Sequence, residues 1–189
     1  SSSSVYGDKV SIPMREDALP QPVSPYGVTK LAAEQLCHLY HVNYGVPAVS
    51  LRYFTVYGPR QRPDMGFHRF LRAVHRQEAI TVYGDGEQTR DFTYVDDIVR
   101  ATVAAADRGG PGRVYNIGGG SRVSINDVLR MIGQISGQPV RLVSSGAQKG
   151  DMRHTFADTS RARADFGFVP RVGLLEGLTA EWTWLTGVL

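Results

Sequence analysis

The segment Ser24-Pro25-Tyr26-Gly27-Val28-Thr29-Lys30 opens a helix and sets a phenol four residues ahead of an ammonium. Ser24 is a good N-cap and Pro25 suits the first helical position. Apolar residues at Val28, Leu31, Ala32, Leu36, Leu39 and Val42 keep a helical period as far as Tyr44. Gly45 and then Pro47 stop it. Positions four apart share a helix face, so the Lys30 ammonium is expected beside Tyr26. A nearby cation stabilises phenolate and lowers a tyrosine pKa from its ordinary ~10. A phenol tuned in this way serves as a base near neutral pH. The same spacing also describes an exposed Tyr and Lys on an ordinary helix, so the pair needs company before it means chemistry.

Working outward, helices and strands alternate. Ser1 to Tyr6 reads as a strand end entering a turn at Gly7, and the Pro-rich stretch from Asp8 to Ser24 as a loop. Ala48 to Phe54 reads as a strand interrupted by Arg52, followed by a Gly/Pro/Arg loop from Thr55 to Gly66. Helices are expected over Phe67–Gln77, from Asp96-Asp97 as caps to Asp107, from Ser124 to Ile135, and near 159–166 and 174–185. Further strands are expected at Ile80–Tyr83, Phe92–Val95, Val114–Ile117 and Val140–Val143, with turns at Gly84-Asp85-Gly86 and Gly118-Gly119-Gly120. This alternation makes the class α/β.

Composition narrows the partners. The 189 residues are 42% hydrophobic and 21% charged, as in an ordinary folded domain. The longest apolar stretch, Ala101–Ala106, is far short of the ~20 residues a membrane span needs. The net charge of +3 is spread along the chain, without the basic stripe that nucleic acid requires. Among the 21 basic residues only Lys9, Lys30 and Lys149 are lysines. The many arginines suit forked recognition of phosphate and carboxylate. The single cysteine, Cys37, and scattered histidines complete no metal site, so no metal is expected. No secretory signal opens the chain, and a cytoplasmic location is the default. The absence of an initiator Met leads to the expectation that this is the later part of a longer protein.

Taken together, three pieces are more specific than any one: Ser1-Ser2-Ser3-Ser4-Val5-Tyr6-Gly7, then Ser24–Lys30, then Leu51-Arg-Tyr-Phe-Thr-Val-Tyr-Gly-Pro-Arg60. In this order the chain resembles the second half of the extended short-chain dehydrogenase/reductases that act on nucleotide sugars. The glycine-rich G-x-G-x-x-G fingerprint of that family's first half is not in the sequence. The resemblance implies a Rossmann-type NAD-binding part over residues 1–60. It implies a small α/β nucleotide-sugar-binding domain over 61–189, some of whose segments return to the Rossmann part. It also implies NAD as cofactor, a UDP-sugar as substrate, a homodimer, and a piece that is inactive and binds NAD weakly by itself.

Residue by residue, the resemblance makes Ser2 the catalytic hydroxyl, with Ser3 a neighbour that touches substrate. Tyr26 becomes base and acid, and Lys30 binds the nicotinamide ribose and polarises Tyr26. Tyr53 and Phe54 flank the cofactor. Arg90, in the Gly-Asp-Gly-Glu-Gln-Thr-Arg-Asp-Phe run, falls on the diphosphate, Tyr83 near the base, and Arg153 on the diphosphate or ribose. Asp151 and Asp158 flank Arg153 and are expected to orient it. Each arginine alone would read as a solvated surface charge. Phe-Thr-Val-Tyr-Gly-Pro followed by Arg62-Pro63-Asp64-Met65 is most similar to UDP-glucuronate 4-epimerases, and Thr55 and Arg62 then hold the sugar carboxylate. Glucose and N-acetylglucosamine epimerases are the nearest alternative. A non-catalytic nucleotide-sugar-binding module is the alternative from another class.

Overall fold

A computed structural model describes residues 1–146 and 152–189. Strands β1 (Ser50–Tyr53) and β6 (Val114–Ile117) pair in parallel, with Ser50 opposite Val114 and Tyr53 opposite Ile117. Strand β2 (Val56–Tyr57) pairs in parallel with β5 (Thr93–Tyr94), and β3 (Ile80–Tyr83) with β8 (Leu142–Ser145). Strand β4 (Thr89–Asp91) runs antiparallel to β7 (Arg122–Ser124). Parallel neighbours so far apart in sequence need crossovers, which the helices supply. These are α1 (Pro25–Tyr44), α2 (Gly66–His75), α3 (Val95–Arg108), α4 (Ile125–Ser136), α5 (Ser160–Phe166) and α6 (Leu174–Thr186).

Among the described residues, three cores interleave along the chain. Leu51, Tyr115 and Ile117 of the β1–β6 pair pack on Ile98, Ala101 and Ala105 of α3 and on Ala162 and Phe166 of α5. Helices α2, α4 and α6 close a second core with Phe67, Leu71, Ile132, Leu178 and Leu185 around Tyr57, Ile80 and Phe92. A third, small one joins Val5, Tyr6, Met14, Phe54 and Ala157.

Helix α1 begins and ends where its caps predict. Ser24 accepts from the Gly27 N–H at 3.1 Å, and Gly45 closes the helix at φ 69°. Most of its apolar residues do not face a core, however: Val28, Leu36, Leu39 and Val42 are exposed, Leu31 is half-buried against the third core, and only Gly27 and Glu34 are buried.

Other expectations are corrected. The serine run is not a strand entering a turn. Ser2 makes one parallel bridge to Tyr53, and Ser3–Val5 then wind into a 3-10 turn, because the Ser2 side chain accepts the Ser4 N–H. The expected strand 92–95 shortens to β5, Thr93–Tyr94, and an unforeseen strand ahead of it, β4, pairs with the equally unforeseen β7. Strand β8 starts two residues later than expected, with Leu142 opposite Ile80. Asp96 and Asp97 do not cap α3, whose N-cap is Tyr94. Asp97 is instead buried and accepts the Arg171 and Val172 N–H groups at 3.1 and 3.2 Å, with Arg100 as ion-pair partner.

Candidate active site

A cavity of about 620 Å³ lies at the carboxyl end of β1, the end of a parallel strand at which open α/β sheets bind ligands. Ser1–Ser4, Tyr26, Tyr53, Phe54 and Thr55 line it, together with the loop residues Gly58, Arg60, Gln61, Arg62 and Met65. Of the candidates read from the sequence, Ser2, Ser3, Tyr26, Tyr53, Phe54, Thr55 and Arg62 therefore meet in one place.

Local chemistry explains the meeting. Gly27 lets the first turn of α1 approach the serine run: a Cβ there would lie 2.5 Å from the Ser4 carbonyl oxygen. Tyr26 is 54% exposed, with the Lys30 Nζ 5.4 Å from its ring centroid. Ser2 is buried, and its hydroxyl donates to Ser4 Oγ at 3.2 Å, so Ser4 joins the hydroxyl cluster that the sequence reading centred on Ser2. Phe54 is buried against Tyr6, and the Tyr53 hydroxyl pairs with Thr102 Oγ1 at 2.8 Å. The Thr55 carbonyl accepts the Thr93 N–H at 2.8 Å, which fixes its backbone beside β5. Arg62 is exposed and donates to Asp64 Oδ2 at 3.0 Å.

One residue pair that fixes this site escaped the sequence reading. Arg52, which interrupts an apolar strand, forks onto Glu34 with two 2.8 Å bonds, and both side chains are buried. Ser1 Oγ adds a 2.5 Å bond to the same carboxylate, and the Arg52 guanidinium stacks 4.6 Å from the Tyr6 ring centroid. Burial of the Tyr6 phenol raises its pKa, and its hydroxyl donates to Asn116 Oδ1 at 2.7 Å. Only half of the signal was in the sequence: a charge in a buried strand demands a partner, but nothing local names Glu34 as that partner.

Tyr83, Arg90 and Arg153 are not brought to that cavity. Arg153 forks onto Asp85 at 2.8 and 2.7 Å, with both side chains about half exposed. The Arg153 hydrogen bonds hold the Asp85 pKa down at about 2. Arg90 Nη1 donates to the Thr89 and Arg153 carbonyls at 3.0 and 3.3 Å. Tyr83 is half-buried on β3, and its carbonyl accepts from Gln88 Nε2 at 3.0 Å. The three thus gather around the Asp85 turn. Asp158 does not orient Arg153: it pairs with Arg15 at 3.3 Å and accepts the Ser160 N–H at 2.8 Å. Asp151 lies outside the described residues.

A second buried carboxylate organises the neighbourhood. Asp91 accepts the Gly119 and Ala157 N–H groups at 2.8 and 3.0 Å, tying β4 to the glycine loop after β6. Burial raises its pKa to about 6, against the pull of those hydrogen bonds. Among the described residues no group of three or more His, Cys, Asp or Glu side chains could hold a metal. No helix among them is long and apolar enough to cross a membrane.

Comparison with known proteins matches residues 1–118 to the NAD dependent epimerase/dehydratase family. The chain is 44% identical to an uncharacterized UDP-glucose epimerase, YtcB, of Bacillus subtilis, over 100% of the chain and 60% of that protein. It is 39% identical to a UDP-glucuronate 4-epimerase of Thermodesulfobacterium geofontis, over 97% of the chain and 57% of that protein. A crystal structure of UDP-glucuronic acid 4-epimerase from Bacillus cereus, in complex with UDP-glucuronic acid and NAD, superimposes with a TM-score of 0.96 at 48% identity. That match covers 100% of the chain and 60% of the Bacillus cereus chain. The chain therefore spans about 60% of the length of these relatives, and the shared architecture is the later part of a Rossmann-type fold with its small α/β companion.

Proposed function

The chain belongs to the NAD dependent epimerase/dehydratase family, and we propose that it is the part of an NAD-dependent UDP-sugar 4-epimerase that carries the base and the sugar pocket, with UDP-glucuronate as substrate. One observation carries the reading: the serine cluster, Tyr26, Thr55 and Arg62 line a single cavity at the end of β1.

Tyr26 takes the proton from the C4 hydroxyl and later returns it. The Lys30 ammonium beside its ring stabilises the phenolate that forms. Ser2, linked to Ser4, supplies the hydroxyl hydrogen bond that orients the C4 oxygen. The chemistry that NAD would supply there, when bound, is reversible acceptance of the C4 hydride. The residues present fit the nicotinamide end of such a cofactor, where Tyr53 and Phe54 form a wall and Lys30 reaches for the ribose. Thr55 and Arg62 hold the sugar carboxylate. That contact matters because oxidation at C4 makes a β-keto acid, which loses CO₂ when the carboxylate bond aligns with the carbonyl π system. A forked guanidinium keeps it out of alignment. Tyr83, Arg90 and Arg153 receive the uridine diphosphate, and Arg153 exchanges Asp85 for phosphate on binding. In this reading residues 1–60 complete the Rossmann part and 61–189 form mainly the sugar-nucleotide domain. The exposed Val28, Leu36 and Leu39 of α1 suit a homodimer contact.

A UDP-glucose substrate is the rival, favoured by one observation: Arg62 already has Asp64 as its partner. Product analysis with the full-length protein separates the two. Arg62→Ala should lower kcat/KM for UDP-glucuronate by tens- to thousands-fold, as expected for about 2–5 kcal/mol from a lost charged pairing. Its effect on UDP-glucose should be slight, and some decarboxylated product should appear. Equal losses on both sugars, or a wild-type preference for UDP-glucose, would refute the carboxylate clamp.

A further inference from the structure

Arg62 and Arg60 sit on a loop, Gly58–Met65, that hangs from β2. The element that holds this loop lies far away in sequence. Helix α6 presents Gly177 and Glu181, four residues apart and so on one face, to Tyr57 and Gly58. Gly177 makes room for Tyr57, since a Cβ there would lie 2.3 Å from the Tyr57 hydroxyl oxygen. That hydroxyl donates to the Gly173 carbonyl at 3.3 Å. One turn on, Glu181 is fully buried, and its Oε2 accepts the Gly58 N–H at 2.8 Å. Glu181 Oε1 is buried without a hydrogen-bond partner among the described residues.

A buried carboxyl with one of its oxygens unpaired costs stability. It therefore needs a reason other than packing, and its one partner is a cavity-lining residue. Gly58 itself has φ 132°, a conformation closed to other side chains. Further along, Gln61 pins the loop again: its Nε2 donates to the Val56 carbonyl and its Oε1 accepts the His68 N–H, both at 2.9 Å. Arg60, between the two pins, is held at φ 68°, a left-handed conformation that persists in an arginine only where its surroundings enforce it.

We propose that Glu181 is a positioning residue for the sugar end of the substrate: through the Gly58 N–H it holds the 58–65 loop in the shape that presents Arg60 and Arg62 to the cavity. The assignment of the cavity to a UDP-sugar rests on the function proposed above; the anchoring of the loop does not.

The experiment uses the full-length protein with Glu181→Leu, which removes the acceptor, and Glu181→Gln, which keeps one without the charge. Glu181→Leu should raise KM for UDP-glucuronate about tenfold or more, the scale of one buried hydrogen bond, and leave kcat within about threefold. The calorimetric Kd for UDP, which has no sugar, should not move. Trypsin should cut after Arg60 faster than in wild type, and Glu181→Gln should restore both KM and resistance to cleavage. If Glu181→Leu does not fold, Glu181→Ala removes the same acceptor and is read in the same way. Unchanged cleavage, an unchanged KM, or a loss of kcat or of UDP affinity in place of the KM effect would overturn the proposal. Absence of turnover of any UDP-sugar by the wild-type full-length protein would instead refute the proposed function, and the cleavage comparison would still decide whether Glu181 anchors the loop.

Discussion

The cavity and the arginine group around the Asp85 turn are held in opposite ways. Behind the cavity, Arg52 and Glu34 form a buried fork with side-chain exposures of 4% and 3%, and Glu181 binds the Gly58 N–H out of solvent. The Arg153–Asp85 fork has equally good distances, but its side chains are 51% and 54% exposed. Buried charge pairs tolerate little change, because removing one member strands the other. Exposed pairs exchange partners readily, because water and salt compete for them. Under the proposed function, that difference is what a rigid reaction centre and an exchangeable phosphate contact would each need.

The largest effect should come from the reaction centre itself. In the full-length protein Tyr26→Phe should lower kcat by about 10²–10⁴-fold, the usual scale for loss of a general acid–base group. The Kd for the UDP-sugar should change little. Tyr26 is half exposed and packs in no core, so the thermal midpoint should also hold. Steady-state turnover, calorimetry and a melting curve check the three parts, and near-wild-type turnover would break the assignment.

Next comes the buried pair. Arg52→Met leaves Glu34 buried with only the Ser1 hydroxyl as partner, and should destabilise the full-length protein by about 3–5 kcal/mol. Replacing both, Arg52→Met with Glu34→Leu, should recover most of that loss, because no buried charge then remains. Urea denaturation of the two single variants and the double variant gives the coupling directly. If the double variant is as unstable as Arg52→Met alone, the pair is not what joins α1 to β1.

These two sites also show what a sequence can and cannot display. Tyr26 and Lys30 were legible because helix period is local: Ser24, Pro25 and Gly45 set the ends, and four residues make one turn. The serine run and Thr55 were legible through their order along the chain. What could not be read was partnership across long loops. Arg52 looked like an interruption, since nothing local says that Glu34, eighteen residues earlier, answers it. Asp97 looked like a cap because acidic residues suit a first helical turn, yet the backbone N–H groups it accepts, those of Arg171 and Val172, are more than seventy residues away. Glu181 gave no signal, because its one partner, Gly58, lies 123 positions away. Arg153 was expected on a ligand, and its pairing with Asp85 was not read, because Asp85 sits in a turn that read as geometry alone. Side-chain pairing at long range is decided by topology, and hydrophobic period does not report it.

The smallest expected effect lies in the arginine group and sharpens the contrast most directly. Asp85 is exposed and binds Arg153 through two hydrogen bonds; its carboxylate also accepts the Glu87 N–H at 2.9 Å, which an asparagine oxygen can accept as well. Asp85→Asn therefore removes the charge that competes for Arg153 and keeps the turn. If Arg153 exchanges Asp85 for phosphate, the variant should bind UDP more tightly by roughly two- to fivefold, the scale of an exposed ion pair. The unfolding midpoint should stay in place. Because Debye screening weakens the competing pair, the advantage should shrink as salt is raised towards ~1 M. Calorimetric titration of UDP at low and high salt, on wild type and variant, measures this. Should the variant bind UDP more weakly at low salt, Asp85 holds Arg153 in place for the ligand instead of competing with it, and the arginine group is then as rigidly built as the cavity.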